Sequence, residues 1–202
     1  LSHPTAKDDA GNEQKDQTAT FAIKARALMS IALAPGWNLI SVPGTPANTD
    51  INTVITGSAV DTVLTYDPTV PGGWLTAVRD STGSLIGTLN TITATRAYWV
   101  HTDTFDPIKV DIPGLAGGAL TLPPAISLVV GWNLVPVVSL DPAFSTADPD
   151  DYFTGLSWTR AYRFNTSAGK FETFTKTSNL ATDIKVGEGY WLYLTAAGVL
   201  VP

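Results

Sequence analysis

The feature that most constrains the fold is a short motif that the chain uses twice. Gly-Trp-Asn-Leu stands at residues 36–39 and again at residues 131–134, and both copies run on into apolar residues. Self-similarity over such a distance is typical of a chain that is built from repeated structural units. The sequence therefore predicts two related units of about 90 residues each.

The residues before each copy of the motif also repeat. The thirteen residues at positions 21–33 alternate between apolar and other side chains, and residues 120–130 show the same alternation before the second copy. Because successive side chains of a strand point to opposite faces, this alternation predicts a half-buried strand in front of each motif. The apolar positions of the first strand are Phe21, Ile23, Ala25, Ala27, Met29, Ile31 and Leu33.

The residues after each copy correspond as well. Tyr-Asp at residues 66–67 matches Phe-Asn at residues 164–165, and a further aromatic residue follows within each unit. Ala-Tyr-Trp at residues 97–99 matches Gly-Tyr-Trp at residues 189–191. Glycine and proline stand between these runs, so each run predicts a strand that is bounded by turns.

One short helix is predicted in each unit. The second unit has Asp-Pro-Asp-Asp at residues 148–151, which supplies an N-cap acceptor, a proline at the first helical position and acidic residues near the positive end of the helix dipole. In the first unit, Thr49 or Asp50 begins a similar segment at residues 51–55, which Gly57 ends.

The acidic residues of the second helix have an alternative interpretation as a calcium site. Asp148, Asp150 and Asp151 place three carboxylates within four residues, and carboxylate oxygens are good calcium ligands. Their spacing does not match an EF-hand loop, and the helix start accounts for all three residues.

The order of these motifs resembles the GWNLIS-type β domain, which recurs, often in tandem, in secreted and cell-surface proteins of bacteria and archaea. The resemblance extends over residues 20–202 and departs from the family pattern at Ala97, where glycine is usual, and at Pro136, where serine is usual. It implies a tandem β architecture and an extracellular or cell-surface location. It supplies no catalytic residues.

The expected fold is therefore all-β with one short helix per repeat, arranged as two tandem homologous β-sandwich-like domains. We expect a polar N-terminal tail at residues 1–19, a first domain at residues 20–114, a linker at residues 115–118 and a second domain at residues 119–202. The tail is polar and charged and has little apolar surface to bury.

Composition excludes several functions. A net charge of -6 and a pI near 4.7 argue against nucleic-acid partners, because no basic stripe could replace counterions along phosphates. The chain has no cysteine and two histidines, with none of the usual zinc spacings, nucleophile-elbow glycines or phosphate-binding loops. No apolar run approaches the roughly 20 residues that a membrane-spanning helix needs. We therefore predict a protein that is not an enzyme, has no cofactor and does not span a membrane.

Two further observations concern the surface. Asn165 begins an Asn-Thr-Ser sequon on a predicted turn and is a candidate for glycosylation. Tyr98 and Trp99 must face opposite sides of their strand, as must Tyr190 and Trp191, so aromatic rings including Trp74 or Trp158 could stack on sugars. The simpler interpretation is that four tryptophans fill the two cores, namely Trp37, Trp99, Trp132 and Trp191.

The first strand suggests a role in assembly. Thirteen residues would extend over roughly 43 Å, well beyond an ordinary strand, and a long strand near a chain terminus can pair with a neighbouring subunit or within its own chain. The main functional prediction is an extracellular structural protein, a self-assembling subunit of a surface filament, sheath or surface layer, with N-terminal strand exchange as a route. The alternative is a carbohydrate-binding or adhesive module of a larger secreted protein that recognises surface glycans.

Overall fold

The computed structural model describes residues 27–56, 59–113, 124–139, 145–176 and 183–202. It is mostly β, with 50% strand and 5% helix, and its strands form several antiparallel sheets. The predicted β class with short helices is confirmed. The predicted tail, the predicted linker and the strand positions Phe21, Ile23 and Ala25 lie outside the described residues.

The described residues between 27 and 113, here called the N-terminal half, form a five-stranded antiparallel sheet and a separate strand pair. The sheet has the order β2-β6-β3-β4-β5, and β1 pairs with β7. The elements are β1 (Ala27–Ile31), β2 (Gly36–Ser41), α1 (Ile51–Val54), β3 (Val60–Tyr66), β4 (Trp74–Arg79), β5 (Leu85–Gly87), β6 (Ala97–Thr102) and β7 (Ile108–Ile112).

The described residues between 124 and 202, here called the C-terminal half, form a four-stranded antiparallel sheet and two strand pairs. The sheet has the order β9-β14-β11-β12, β8 pairs with β15, and β10 pairs with β13. The elements are β8 (Ile126–Leu128), β9 (Gly131–Pro136), β10 (Thr146–Ala147), α2 (Pro149–Tyr152), β11 (Trp158–Asn165), β12 (Lys170–Thr175), β13 (Ile184–Lys185), β14 (Gly189–Leu194) and β15 (Gly198–Leu200).

The repeated motif forms the same turn in both halves. Gly36 and Gly131 both have φ of 95°, a conformation that a residue with a side chain rarely adopts. The Asn38 side chain accepts a hydrogen bond from the backbone N–H of Ala34 at 2.9 Å and donates to the Ala34 carbonyl at 2.7 Å. Asn133 makes the corresponding bonds with Val129 at 3.0 and 2.8 Å. The motif therefore fixes the entry into β2 and into β9.

Each half has its own buried core. In the N-terminal half, residues of the sheet, the β1–β7 pair and α1 form one cluster, and in the C-terminal half the sheet, the β8–β15 pair and α2 form another. Tyr98 and Tyr190 lie fully buried in these cores, where their hydroxyl groups accept hydrogen bonds from the backbone N–H groups of Thr93 at 2.8 Å and Lys185 at 3.0 Å. Burial raises the pKa of both tyrosines.

A third buried cluster joins the two sheets through the faces that point away from these cores. It contains Leu39, Ala97, Trp99 and Leu134, with Leu64, Tyr66, Phe164 and Trp191 packed against them. The two sheets approach closely at Gly189, where an added Cβ would lie 2.7 Å from the Ala97 Cβ and 2.9 Å from the Ile40 carbonyl oxygen. The buried Ser41 hydroxyl donates to the Glu188 carbonyl at 2.8 Å, and its backbone N–H donates to the Gly187 carbonyl.

The prediction that four tryptophans fill the two cores is wrong. Trp99 is buried, but in the third cluster and not in either of the two cores. Trp37 is 37% exposed, and Trp132 and Trp191 are half-buried. Tyr98 and Tyr190 occupy the core side of their strands, so Trp99 and Trp191, which follow them, point to the opposite face. The strand register places Trp37 and Trp132 on that same opposite face, because they stand across from His101 and Tyr193.

The described end of the first strand differs from its prediction. β1 ends at Ile31, while Leu33 is buried beyond the strand, where Asn38 binds the backbone of Ala34. Met29 and Ile31 face the core, as their alternation predicts. Ala27 pairs with Ile112 at the other end of the antiparallel β1–β7 register, so the described part of this strand pairs within its own chain.

Candidate aromatic binding site

A cleft with entirely aromatic walls opens between the two halves. Its volume is about 480 Å³, which lies within the range of small-molecule binding sites. The N-terminal half contributes two of the six rings and the C-terminal half contributes four. The lining residues are Tyr66, Trp74, Trp132, Tyr162, Phe171 and Trp191.

Strand register explains why these rings meet. Tyr66 stands opposite Trp74 in the β3–β4 pair, and Tyr162 stands opposite Trp191 in the β11–β14 pair. Directly opposed residues of antiparallel strands project from the same face of the sheet, so each pair presents two neighbouring rings. Because the third cluster brings the two faces together, the pairs from both halves line one cleft.

The rings contact one another in a continuous arrangement. The Trp191 ring centroid lies 5.3 Å from that of Tyr66 and 5.9 Å from that of Trp74. Trp132 stacks on Tyr162 with centroids 5.3 Å apart and planes 30° apart, and Tyr162 lies 6.2 Å from Phe171. These separations are those of favourable aromatic pairs, which hold the cleft walls in place.

Two of the six rings that line the cleft are exposed to solvent. Trp74 is 42% exposed and Phe171 is 50% exposed, while the other four rings are half-buried. An exposed Trp and an exposed Phe in one apolar concavity are unusual on a protein surface, where large apolar groups normally stand singly. The arrangement offers flat apolar faces to a ligand from solution.

A positive charge lies beside the cleft. The Arg160 guanidinium carbon is 5.4 Å from the ring centre of Trp132 and 4.9 Å from that of Tyr193. A guanidinium at this distance is attracted to the negative face of an aromatic ring. The phenol groups of Tyr66 and Tyr162 and the indole N–H groups add hydrogen-bonding capacity to the otherwise apolar walls.

The two tryptophans considered for sugar stacking have different surroundings. Trp74 lines the cleft, whereas Trp158 is 3% exposed and belongs to the core of the C-terminal half. The repeat includes Tyr66, Trp74 and Phe171, and the strand alternation drew attention to Trp191, but nothing in the sequence indicated that these rings and Tyr162 would line one cleft. Their common position could be found only from the packing of one sheet on the other.

The acidic residues of α2 occupy a helix start. Asp148 is the N-cap, its carboxylate accepts a hydrogen bond from the backbone N–H of Asp150 at 2.7 Å, and Pro149 is the first helical residue. Asp150 and Asp151 are exposed in the first turn. The helix prediction is confirmed, and Asp50 caps α1 in the same way. Calcium binding by these residues stays the alternative interpretation.

Asn165, the glycosylation candidate, ends β11 at a tight hairpin. Its side-chain amide donates to the Glu172 carboxylate at 2.7 Å, and its side-chain oxygen accepts from the backbone N–H of Ala168 at 3.0 Å. The hydrogen bond from Asn165 lowers the pKa of Glu172, and so does the hydrogen bond that the Arg163 guanidinium donates to it at 2.6 Å. A glycan on Asn165 would be attached to the same amide nitrogen that donates to Glu172.

Comparisons of the chain with protein-family models, with curated proteins and with solved structures found no match. The family resemblance that the motifs suggest stays a prediction. Among the described residues, no helix is both long enough and apolar enough to cross a membrane.

Proposed function

We propose that the protein is an extracellular carbohydrate-binding module whose binding site is the aromatic cleft. The observation that carries the proposal is that all six lining side chains are aromatic and that two of them face solvent. Sugar rings present faces of C–H groups, which carry slight positive charge and pack well on the negative faces of aromatic rings.

The character of the cleft favours a sugar over a wholly apolar ligand. A purely apolar ligand is best held in an enclosed pocket, whereas Trp74 and Phe171 leave this cleft open on one side. Sugars keep hydroxyl groups in water while one ring face stacks. The phenol groups and Arg160 at the margin provide donors for those hydroxyls.

We also propose that the two halves are tandem homologous β-sandwich-like domains of the GWNLIS type. The support is a shared order of strands, because β2-β6-β3-β4 and β9-β14-β11-β12 connect equivalent segments of the repeat. The identical turns at Gly36 and Gly131 add to this support. A secreted or cell-surface location follows from the family resemblance.

Self-assembly into a filament, sheath or surface layer stays a prediction. Exchange of the N-terminal strand would have to replace five in-chain residue pairs between β1 and β7. The cleft needs no such rearrangement, so the geometry favours carbohydrate binding.

A glycan array followed by calorimetry with the best-bound oligosaccharide tests the proposal. We expect Trp74→Ala and Phe171→Ala each to weaken binding by about tenfold or more, which corresponds to about 1.4 kcal/mol. Both side chains are about half exposed but contact other rings, so their loss should lower the unfolding temperature modestly and leave the protein folded.

The matched control is Trp37→Ala, which removes a similarly exposed tryptophan outside the cleft. This variant should bind as the wild type does. Absence of any bound glycan, or equal affinity in all four proteins, would refute the proposal.

A further inference from the structure

A second cluster of side chains lies on the sheet of the N-terminal half, away from the residues that line the cleft. Asp61 stands on β3, His101 on β6, and Asp103 directly follows β6. One ligand atom from each residue lies within 4.8 Å of the other two. An imidazole and two carboxylates from two strands therefore converge on one point of the surface.

The contacts within the cluster are close and open to solvent. His101 Nδ1 lies 2.8 Å from a carboxylate oxygen of Asp61. The side chains of His101 and Asp61 are 29% and 44% exposed, and Asp103 is exposed as well. An ion from solution can therefore reach all three residues without any movement of the backbone.

The imidazole is also held from its other side. The ring centre of His101 lies 5.0 Å from that of Trp37, with the two planes at 61°. Trp37 stands directly opposite His101 in the β2–β6 pair. A ligand whose orientation is fixed in this way loses less freedom when it binds an ion.

A β-bulge places Asp61 in the cluster. The register of β3 with β6 shifts between Val60 and Thr62, so Asp61 is the extra residue of the bulged strand. Bulges change the direction of a side chain and occur often beside functional sites. Without the bulge, Asp61 would alternate to the face opposite His101, which stands across from Thr62.

The C-terminal half has the same bulge and lacks the ligands. Its register shifts between Trp158 and Arg160, so Thr159 is the extra residue. Tyr193, opposite Arg160, occupies the place of His101, and Thr195 occupies the place of Asp103. The bulge therefore belongs to the shared strand arrangement, whereas the ligand chemistry is particular to the N-terminal half.

Charge gives a reason for a cation at this point. Protonated His101 could neutralise one of the two carboxylates, but a divalent cation neutralises both and relieves their mutual repulsion. The net charge of -6 also favours the approach of cations over that of anions.

We propose that Asp61, His101 and Asp103 bind a divalent transition-metal ion of the Zn²⁺ class, with water completing the coordination. One imidazole nitrogen with carboxylate oxygens is a ligand set that suits Zn²⁺ better than Ca²⁺ or Mg²⁺, which prefer oxygen alone. Zinc ligands lie about 2.1 Å from the ion, so the exposed aspartates would rotate inward by small amounts on binding.

The test titrates the purified chain with Zn²⁺ alone by calorimetry and follows thermal unfolding in parallel. We expect one Zn²⁺ per chain and an unfolding temperature raised by roughly 5–10 °C at a free Zn²⁺ concentration about 100 times Kd. Co²⁺ should give visible absorption bands at the same stoichiometry, and Ca²⁺ should bind more weakly.

The variants Asp61→Thr and His101→Tyr carry the residues that the C-terminal half uses at the same positions, so the fold should accept them. Each should lower Zn²⁺ affinity by at least tenfold, while the unfolding temperature without metal stays close to that of the wild type. Asp106→Asn is the matched control, because it removes an exposed carboxylate that is not part of the cluster. The proposal is overturned if the wild type binds no Zn²⁺ or if His101→Tyr binds it equally well.

Discussion

Asn38 and Asn133 show how one side chain can determine a loop. Each is buried, and each uses its side-chain oxygen and its amide to bind both backbone groups of the residue four positions earlier. No other side chain of this size offers a donor and an acceptor at that separation. The asparagine of the motif is therefore explained by the turn that it closes, not by ligand binding.

Replacing Asn38 with alanine should destabilise the protein. The backbone N–H and carbonyl of Ala34 would lose their partners in a partly buried loop, and we expect a loss of about 2–4 kcal/mol in the free energy of unfolding. Denaturant unfolding measures this loss. Asn90→Ala is the control, since Asn90 is exposed and bonds the Ile51 N–H through its backbone carbonyl, which alanine keeps, so stability should change by less than about 0.5 kcal/mol. Equal stability of both variants would contradict this account of the motif.

The short helices are the elements that the sequence predicts most directly. Asp50 and Asp148 are N-caps, and Pro149 opens α2, because these residue types satisfy or tolerate the free N–H groups of a helix start. Such signals depend only on neighbours in the chain, so they can be recognised without tertiary structure.

Asp148 allows the cap and calcium interpretations to be separated. Asp148→Ala should lower the free energy of unfolding by about 0.5–2 kcal/mol, whereas Asp148→Asn should retain most of the stability because an amide oxygen also caps a helix. Thermal unfolding with and without Ca²⁺ measures both effects. A Ca²⁺-dependent stabilisation of the wild type that Asp148→Asn abolishes would favour the calcium site.

The faces of the strands were harder to predict than the strands themselves. Alternation assigns Tyr98 and Trp99 to opposite faces, but it does not say which face meets the core of its own half. Here both faces are covered, one by the local core and one by the other sheet. The sequence did not predict the Asp61–His101 contact either. The two residues are 40 positions apart in the chain, and their contact depends on the β-bulge at Asp61.

At the scale of the whole molecule, the aromatic cleft depends on how closely the two sheets pack. Gly189 and Ala97 occupy equivalent positions of the repeat and face one another where the two sheets meet. Small residues at both positions let the sheets pack closely enough for Trp191 to reach Tyr66 and Trp74. Ala97 therefore lies at the contact itself, where Gly189 leaves room for its methyl group.

Gly189→Ala tests this dependence. The added Cβ would lie 2.7 Å from the Ala97 Cβ and 2.9 Å from the Ile40 carbonyl oxygen, so the sheets must move apart. We expect a loss of about 1–3 kcal/mol in the free energy of unfolding, measured with denaturant. A wider separation should also weaken glycan binding, because the cleft takes rings from both sheets.

The double variant Gly189→Ala with Ala97→Gly distinguishes packing from other effects. Removing the Ala97 methyl group relieves the shorter contact, while the Ile40 carbonyl still opposes the new Cβ, so part of the stability should return. Non-additive free energies of unfolding in this cycle would place the coupling at the contact between the sheets. If Gly189→Ala were as stable as the wild type, the sheets would not need this close approach, and the cleft would have to be maintained by its aromatic contacts alone.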